Sequence, residues 1–153
     1  MKKLPLYILA KNRAARFHFE ILEEFEAGIV LTGRETKSIR VNHPKLTGTF
    51  VATKSQSEII LKNLEVPEYR FAKNQPHEKI RDRKLLLSKK ESKEIQQSLN
   101  KKGITAIPLN LHLKNGKIKV QIALARGKSR QDKRETIKKR DIERELRNEM
   151  KNL

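Results

Sequence analysis

The stretch ITAIPLNLHLKNGKIKVQIALA, residues 104–125, constrains the fold of this chain more than any other segment. Two runs of alternating apolar and polar residues flank Asn115 and Gly116, the residue pair that most strongly favours a two-residue type I′ turn. The stretch therefore predicts a long antiparallel hairpin. Pro108 has no backbone N–H group to donate to a neighbouring strand, so it indicates an edge or a bulge in the first strand.

Shorter segments upstream predict further strands. Apolar runs that alternate, or that turn residues bound, occur at 17–22, 26–33, 48–54, 57–64 and 83–88. The segments 48–54 and 57–64 predict a second hairpin, whereas 65–82 lacks a regular period, contains two prolines and is predicted to form a loop. Six or seven short antiparallel strands with few helices are typical of a β-barrel or β-sandwich, and small basic barrels commonly bind RNA or single strands.

Two short helices are predicted between these strands. Thr32 with Glu35, and Ser88 with Glu91, have the spacing of a capping box, in which a hydroxyl and a carboxylate satisfy free backbone N–H groups at a helix start. The first box predicts a helix over RETKSIR, and the second predicts a helix that stops near Gly103.

The charge of the chain indicates a polyanionic partner. Lys and Arg number 36 against 18 Asp and Glu, which gives a net charge of +18. Residues 1–125 hold 25 of the cations and 12 of the anions, so the excess is spread over the whole chain. A protein this basic is expected to bind nucleic acid or an anionic membrane. The membrane alternative is weak, because the sequence has no apolar run of about 18 residues.

Catalysis is not indicated by the residues present. The cluster EEFE, with Glu23, Glu24 and Glu26, is the best candidate for a metal-dependent nuclease, but the four histidines show no metal-ligand spacing. Motifs for a nucleophile or a phosphate loop are missing, and the chain has no cysteine. We therefore expect no catalytic residue, no metal and no cofactor in a cytoplasmic protein. EEFE is predicted to be a solvated turn between two strands.

The C-terminal segment, residues 126–153, is predicted to be a conditional helix. Asp132 and Glu135 have capping-box spacing, and the interior is dense in charges of alternating sign. The apolar residues recur about every four positions and form only a narrow stripe: Ile137, Ile142, Leu146 and Met150. We expect a helix over about 133–150 that is mobile in the free protein and ordered on a polyanion.

Two clusters of cations are candidates for RNA contact. Arg34, Lys37 and Arg40 recur along one helix face, and Glu35 and Ser38 lie beside them. Such a face can contact phosphate, a ribose 2′-OH and a base edge together.

The second cluster, Arg13 and Arg16, precedes Phe17 and Phe19, which are predicted to share the core-facing side of a strand. The stretch RDRK (81–84) is predicted to be a solvated strand entrance.

Three stretches resemble the small protein B (SmpB) family, the protein partner of transfer-messenger RNA (tmRNA). They are EILEEFEAGIVLTGRETKSIR (20–40), RDRKLLLSKKE (81–91) and KNGKIKVQIALARGKSRQDKRETIKKRD (114–141), and the resemblance extends from Asn12 to about Arg147. The resemblance implies a mainly β fold with short helices, namely an oligonucleotide-binding-type antiparallel β-barrel. The implied organisation is an N-terminal extension (1–11), an RNA-binding barrel domain (12–125) and a basic tail (126–153) that is disordered when free and helical when bound.

The resemblance also implies a function. Members of this family bind the tRNA-like domain of tmRNA and deliver it to stalled ribosomes in trans-translation, and the tail enters the vacant mRNA channel. The implied partners are tmRNA and the ribosome, through the rRNA of the decoding site and the mRNA channel. Elongation factor Tu and alanyl-tRNA synthetase are implied only indirectly, through tmRNA. Two alternatives stay open: a β-barrel ribosomal protein that binds rRNA, and an RNA-processing enzyme.

Charge pattern and resemblance together assign candidate RNA-binding residues to both parts of the chain. The residues expected to bind tmRNA in the barrel are Arg13, Arg16, Glu26, Gly33, Glu35, Lys37, Ser38, Arg40, Leu86 and Ser88. The residues expected to bind the ribosome in the tail are Lys128, Arg130, Asp132, Lys133, Arg134, Lys138, Lys139 and Arg140.

Overall fold

A computed structural model describes residues 7–71 and 78–152 as one antiparallel sheet with flanking helices. The strands are β1 Tyr7–Lys11, β2 Phe19–Ile29, β3 Phe50–Ser55, β4 Glu58–Lys62, β5 Arg83–Leu86, β6 Ile104–Lys114 and β7 Lys117–Gly127. The helices are α1 Ala15–His18, α2 Gly33–Asn42, α3 Lys89–Leu99 and α4 Arg130–Lys151. The prediction of a mainly β chain with a few helices is confirmed.

The hairpin predicted at 104–125 is formed by β6 and β7. Lys114 pairs with Lys117 across a two-residue turn, and Asn115 and Gly116 have φ angles of 51° and 76°. Two positive φ values are what a type I′ turn requires, so the turn prediction is confirmed. The register of β6 shifts between Pro108 and Asn110, which confirms the predicted bulge.

The order of the strands makes the sheet close on itself. The hydrogen-bonded order is β1-β6-β3-β4-β5-β2-β7, and β7 pairs in addition with β6. Six strands therefore form a ring of pairings, and β1 lies on β6 outside that ring. One edge of β6 pairs with β7 along its length, while the other pairs with β3 at Ala106 and with β1 from Asn110 to Leu113.

The main core combines side chains of the sheet, β1 included, with side chains of two helices. Ile39 of α2 and Ile95 of α3 are fully buried against it, together with Leu61, Leu111 and Val120. Burial of each such side chain stabilises the fold by about 1.5–3 kcal/mol. Both helices begin as the sequence predicts, because the hydroxyls of Thr32 and Ser88 accept hydrogen bonds from the backbone at their N-termini.

The outer face of β6 and β7 carries a second, smaller core at one end only. Ala15 of α1 covers Ile107, Leu109, Ala123 and Ala125 there. Because side chains alternate along a strand, the residues further along the same face also point outward, away from the main core. These are polar, and they form the candidate interface described below.

The prediction for EEFE is wrong. Glu23–Glu26 are not a turn but lie in the middle of β2, which runs unbroken from Phe19 to Ile29. The backbone of β2 pairs with β7 from Phe19–Gly127 to Gly28–Lys119. The register of this pairing shifts once, at a bulge between Ile21 and Glu23. Pairing with a long neighbouring strand thus outweighs the poor strand propensity of a run of glutamates.

Two predicted boundaries near the N-terminus are also wrong. Residues 7–11, assigned to an extension, form β1, where Leu9 and Ala10 are 3% and 8% exposed and pack in the core. The strand predicted at 17–22 begins only at Phe19, because one helical turn, α1, precedes it. Phe17 therefore lies on that turn and does not share a strand face with Phe19.

The predicted loop at 65–82 falls partly outside the described residues, at 72–77. In the described part, Glu65 and Ile80 form an isolated bridge.

The tail begins with a different cap from the predicted one. The N-cap of α4 is Ser129, not Asp132: the Ser129 hydroxyl accepts from the backbone N–H of Asp132 at 3.2 Å, and the Asp132 carboxylate accepts from the backbone N–H of Ser129 at 3.2 Å. The box that includes Glu135 is therefore not used. None of the residues of α4, all of which the structure describes, is buried.

Candidate nucleic-acid interface

A groove between β2 and the start of α3 brings three of the predicted site residues together. Glu26, Leu86 and Ser88 meet in this cavity of about 540 Å³, here called the Glu26 groove. Its other lining residues are Gly28, Leu87, Glu91, Lys114 and Lys119. A Cβ atom at Gly28 would lie 3.2 Å from that of Leu86, so a glycine allows β2 and β5 to approach closely here.

One basic side chain binds the Glu26 carboxylate, and a second lies close to it. Lys114 Nζ donates to its Oε2 at 3.2 Å, and His112 Nε2 lies 3.6 Å from its Oε1. The side chain remains 33% exposed to the groove. A carboxylate accepts hydrogen bonds from a base N–H or a ribose 2′-OH, while Lys114 and Lys119 can neutralise phosphates beside it.

The other two predicted residues in the groove, Leu86 and Ser88, differ in whether they can contact RNA. Leu86 is 53% exposed and presents an apolar surface on which a base can pack. The hydroxyl of Ser88 is already used, because it accepts from the backbone of Glu91 at 3.2 Å and donates to the Glu91 carboxylate at 3.0 Å. Ser88 therefore fixes the start of α3 at the edge of the groove.

Helix α2 presents two exposed cations, and one of them contacts the tip of the β6–β7 hairpin. Arg40 Nη2 donates to the carbonyl oxygen of Gly116 at 3.0 Å, which ties the helix to the turn. Lys37 Nζ lies 5.9 Å from the ring centroid of Tyr69. Gly33, the first residue of the helix, is open: among the described residues no atom comes within 4 Å of a Cβ built there.

The surface location predicted for Glu35 and Ser38 is wrong. Glu35 is 2% exposed and Ser38 is fully buried. The Glu35 carboxylate caps α2 by accepting from the backbone N–H of Thr32 at 3.0 Å, and it also accepts from Arg83 Nε at 2.6 Å. The Ser38 hydroxyl donates to the carbonyl oxygen of Pro67. Both residues thus hold α2 in place from inside.

The sequence analysis did not identify Arg83 as a structural residue. The stretch RDRK was predicted to be solvated, yet Arg83 is fully buried, and its guanidinium donates to the carbonyl oxygens of Leu64 at 2.6 Å, Arg81 at 3.2 Å and Lys79 at 3.3 Å. The burial of Arg83 could have been predicted from the alternation of side chains along a strand. Arg83 and the apolar Leu85 are two residues apart and therefore face the same side of β5.

The buried charges of this cluster shift each other's protonation equilibria. Burial raises the pKa of the Glu35 carboxyl, but hydrogen bonds from Arg81, the Thr32 backbone and Arg83 outweigh it and leave the pKa below its ordinary value of 4.5. Burial lowers the pKa of Arg83, and the Glu35 carboxylate opposes that shift. We call Glu35, Arg81 and Arg83 the α2 anchor.

Arg13 and Arg16 line a different groove from Glu26. This second cavity, of about 590 Å³ and here called the Arg16 groove, also includes Gln121 of β7 and Arg140 of α4. Arg16 Nη2 is 2.9 Å from Oε1 of Glu24. One cross-strand row links the two grooves. Glu26, which lines the first groove, pairs with Gln121, which in turn pairs with Asn110, and both of these line the second groove.

The predicted tail residues all lie on or beside α4, where they surround the helix with charge. Lys128, just before the helix, donates from Nζ to Thr136 Oγ1 at 2.8 Å, and Arg140 lies 5.7 Å from the ring centroid of Phe17. Asp132 belongs to the cap, and hydrogen bonds from Ser129 lower its pKa. The other predicted tail residues, Arg130, Lys133, Arg134, Lys138 and Lys139, carry positive charge along the helix.

In residues 7–71 and 78–152, no group of three or more His, Cys, Asp or Glu side chains could hold a metal ion. Within the same ranges, no helix is both long and apolar enough to cross a membrane.

Known proteins resemble this chain over most of its length. The family model described as SmpB protein matches residues 9–152. The SsrA-binding protein of Ligilactobacillus salivarius is 48% identical over 144 residues, which cover 94% of this chain and 92% of that protein. The SsrA-binding protein of Persephonella marina is 42% identical over 143 residues, which cover 94% and 93%. A solved structure described as "tmRNA-SmpB: a journey to the center of the bacterial ribosome" aligns with a TM-score of 0.67 and 37% identity, over 88% of this chain and 95% of that chain.

Proposed function

The chain belongs to the SmpB protein family, and from this premise we propose how its surfaces serve a tmRNA-binding adaptor of trans-translation. The protein binds tmRNA and acts with it on the ribosome. The Glu26 groove carries the proposal, because it combines a fixed carboxylate, two lysines and an exposed leucine, which suit a base or ribose flanked by phosphates.

We assign the tRNA-like domain of tmRNA to the Glu26 groove and to the exposed cations of α2. The closed ring of strand pairings supports an oligonucleotide-binding-type barrel as the platform for this contact. Glu26 and Leu86 contact the RNA directly, and Lys37 and Arg40 bind its phosphates. Glu35 and Ser38 act indirectly, by orienting α2 from inside.

We assign the Arg16 groove to the RNA backbone on the side nearer the tail. Arg13, Arg16 and Arg140 bring three guanidinium groups into one cavity, and guanidinium binds phosphate in a bidentate manner. The groove thus extends the RNA-binding face from the sheet to the root of α4.

We propose that α4 enters the vacant mRNA channel of a stalled ribosome. A channel lined with rRNA presents phosphates on all sides, and the cations of α4 project around the helix. Because no residue of α4 is buried, little packing holds the helix in the free protein. The tail is therefore mobile when free and ordered in the channel, where phosphates neutralise its cations.

The remaining assignments follow from an adaptor role. Elongation factor Tu and alanyl-tRNA synthetase act on tmRNA and reach this protein only through it. The protein itself is not an enzyme, and it works in the cytoplasm, where ribosomes are.

The experiment that tests the proposal is to identify the RNA that co-purifies with the protein. An adaptor enriches one RNA with a tRNA-like end and is substoichiometric to ribosomes. A ribosomal protein would instead accompany every subunit at a fixed ratio. A gel shift with the isolated tRNA-like domain, with a hairpin of equal length as control, then tests the groove: Glu26→Ala must weaken binding to the domain and leave binding to the hairpin unchanged.

A further inference from the structure

His112 lies beside the Glu26 groove in a place that sequence reasoning did not anticipate. Its side chain is 1% exposed, although it is surrounded by polar residues. Nδ1 is 2.7 Å from Oδ1 of Asn110, so Nδ1 carries a proton and donates to that amide oxygen. Nε2 is buried and, within the described residues, lacks a hydrogen-bond partner. The nearest charged group is Oε1 of Glu26, at 3.6 Å.

The distance from Nε2 to Oε1 is too long for a hydrogen bond but can be closed by a small movement. Glu26 is 33% exposed, so its carboxylate has room to move toward the imidazole. The other oxygen, Oε2, accepts from Lys114 at 3.2 Å. Lys119 lies opposite His112 on β7, and Ile8 lies opposite it on β1. The imidazole thus lies beside one carboxylate, and its cross-strand neighbours are one lysine and one isoleucine.

We propose that His112 is the positioning residue of Glu26. When the imidazole is protonated, Nε2–H donates to Oε1 while Lys114 holds Oε2, so the carboxylate is presented to RNA in one orientation. Each carboxylate oxygen keeps a lone pair with which to accept from the RNA. When the imidazole is neutral with its proton on Nδ1, the bare Nε2 lone pair faces the carboxylate, and Glu26 is held from one side only.

The inference rests on the proposed function of Glu26 as an RNA contact, and a double-mutant cycle tests it. His112→Phe should weaken binding to the tRNA-like domain at about pH 6 by roughly tenfold, the effect of losing one hydrogen bond to a charged group. In a Glu26→Gln background the same change should cost less than about twofold, because His112 acts through Glu26. An equal loss in both backgrounds overturns the proposal.

A conservative variant tests whether a hydrogen-bond donor is needed at this position. In His112→Gln the amide nitrogen lies near the position of Nε2 and donates at every pH. This variant should keep the affinity of the wild type within roughly threefold. If His112→Gln is as weak as His112→Phe, although both melt at the wild-type temperature, a donor at this position is not what matters.

A measurement without RNA distinguishes the positioning role of His112 from the RNA contact of Glu26. In the free protein at about pH 6, the ¹⁵N resonance of His112 Nε2 should shift when Glu26 is changed to Gln. The ring of His43, whose Nδ1 lies 2.8 Å from the carbonyl oxygen of Leu9, serves as the internal control and should not shift. An unchanged His112 resonance overturns the positioning role even if His112→Phe does not fold. Unchanged RNA affinity of Glu26→Gln alone would instead refute the RNA contact.

Discussion

Replacing Glu35 with alanine is expected to destabilise the protein by about 4–6 kcal/mol. The change leaves the guanidinium of Arg83 fully buried without its carboxylate, and breaking a buried pair in this way costs about 3–5 kcal/mol. The change also removes the carboxylate half of the capping box of α2, which adds about 1 kcal/mol. Because domains of this size are stable by about 5–15 kcal/mol, the variant should be close to unfolding.

The measurement is urea unfolding followed by circular dichroism, with Glu24→Ala as the matched control. Glu24 also pairs with an arginine, but the side chains of Glu24 and Arg16 are 40% and 66% exposed, and such a pair contributes at most about 1 kcal/mol. If Glu35→Ala and Glu24→Ala cost the same within about 1 kcal/mol, the reasoning about the α2 anchor is refuted.

Removing both buried charges should restore much of the loss. The double variant Glu35→Leu with Arg83→Met leaves no fully buried charge unpaired, because Arg81, which also loses its carboxylate, is 28% exposed. Apolar replacement of a buried ion pair is often neutral. The variant should therefore be more stable than Glu35→Leu alone. A double variant that is less stable than the single one would show that the remaining hydrogen bonds of Arg83 matter more than its charge.

The same anchor sets a dependence of stability on pH. The pKa of Glu35 is lower in the folded protein than its ordinary value of 4.5, so the ionised form contributes stability above that pH. This contribution is lost as the pH falls below 4.5 toward the folded-state pKa. Glu35→Gln should therefore lose less stability on acidification than the wild type.

A chain that stops after Lys128 should keep its sheet and its affinity for tmRNA but fail in a ribosome-rescue assay, because Gly127 is the last residue of β7; loss of tmRNA binding would contradict this division. Arg40→Ala should weaken tmRNA binding in a gel shift by about 1–3 kcal/mol without changing circular dichroism, and a variant that unfolds would show that Arg40 is structural. Ile142→Pro should leave tmRNA binding intact and sharply reduce rescue, because Ile142 is 57% exposed and a proline inside a helix costs about 3 kcal/mol; full rescue activity would mean that the tail acts as a flexible polycation. The logarithm of the binding constant should fall by roughly 0.7–0.9 per contacted phosphate for each decade of salt, and an affinity that is flat across salt would contradict the electrostatic assignment.

Most features that depend on neighbouring residues could be predicted from the sequence, but the cap of α4 was placed at Asp132 instead of Ser129. The type I′ turn at Asn115 and Gly116 and the caps at Thr32 and Ser88 rest on contacts within four residues, and all were confirmed. The bulge after Pro108 follows from the chemistry of a single residue.

Features that depend on distant partners could not be predicted in the same way. Glu35 was expected on the surface because only its helix neighbours were visible, whereas its partner Arg83 is 48 residues away. The acidic run EEFE looked like a turn because the strand that keeps it extended, β7, begins some 90 residues later. Nothing in the sequence indicates that His112 is buried beside Glu26. The two residues lie on β6 and β2, which are separated by β7 in the sheet.

The connection between β7 and α4 consists of only Lys128 and Ser129, and the backbone N–H of Lys128 donates to the carbonyl oxygen of His18 at 2.9 Å. Because a linker of two residues allows little movement, the first residue of the helix is held close to the end of β7. Its 22 residues extend about 33 Å from that point, at 1.5 Å per residue. If α4 orders in the channel as proposed, the formed helix has a fixed length, so with RNA in the Glu26 groove it fits only a ribosome whose channel is clear for that distance. Inserting flexible residues between Lys128 and Ser129 should make the position of the helix less defined. Ribosomes that hold longer message remnants should then be engaged as well.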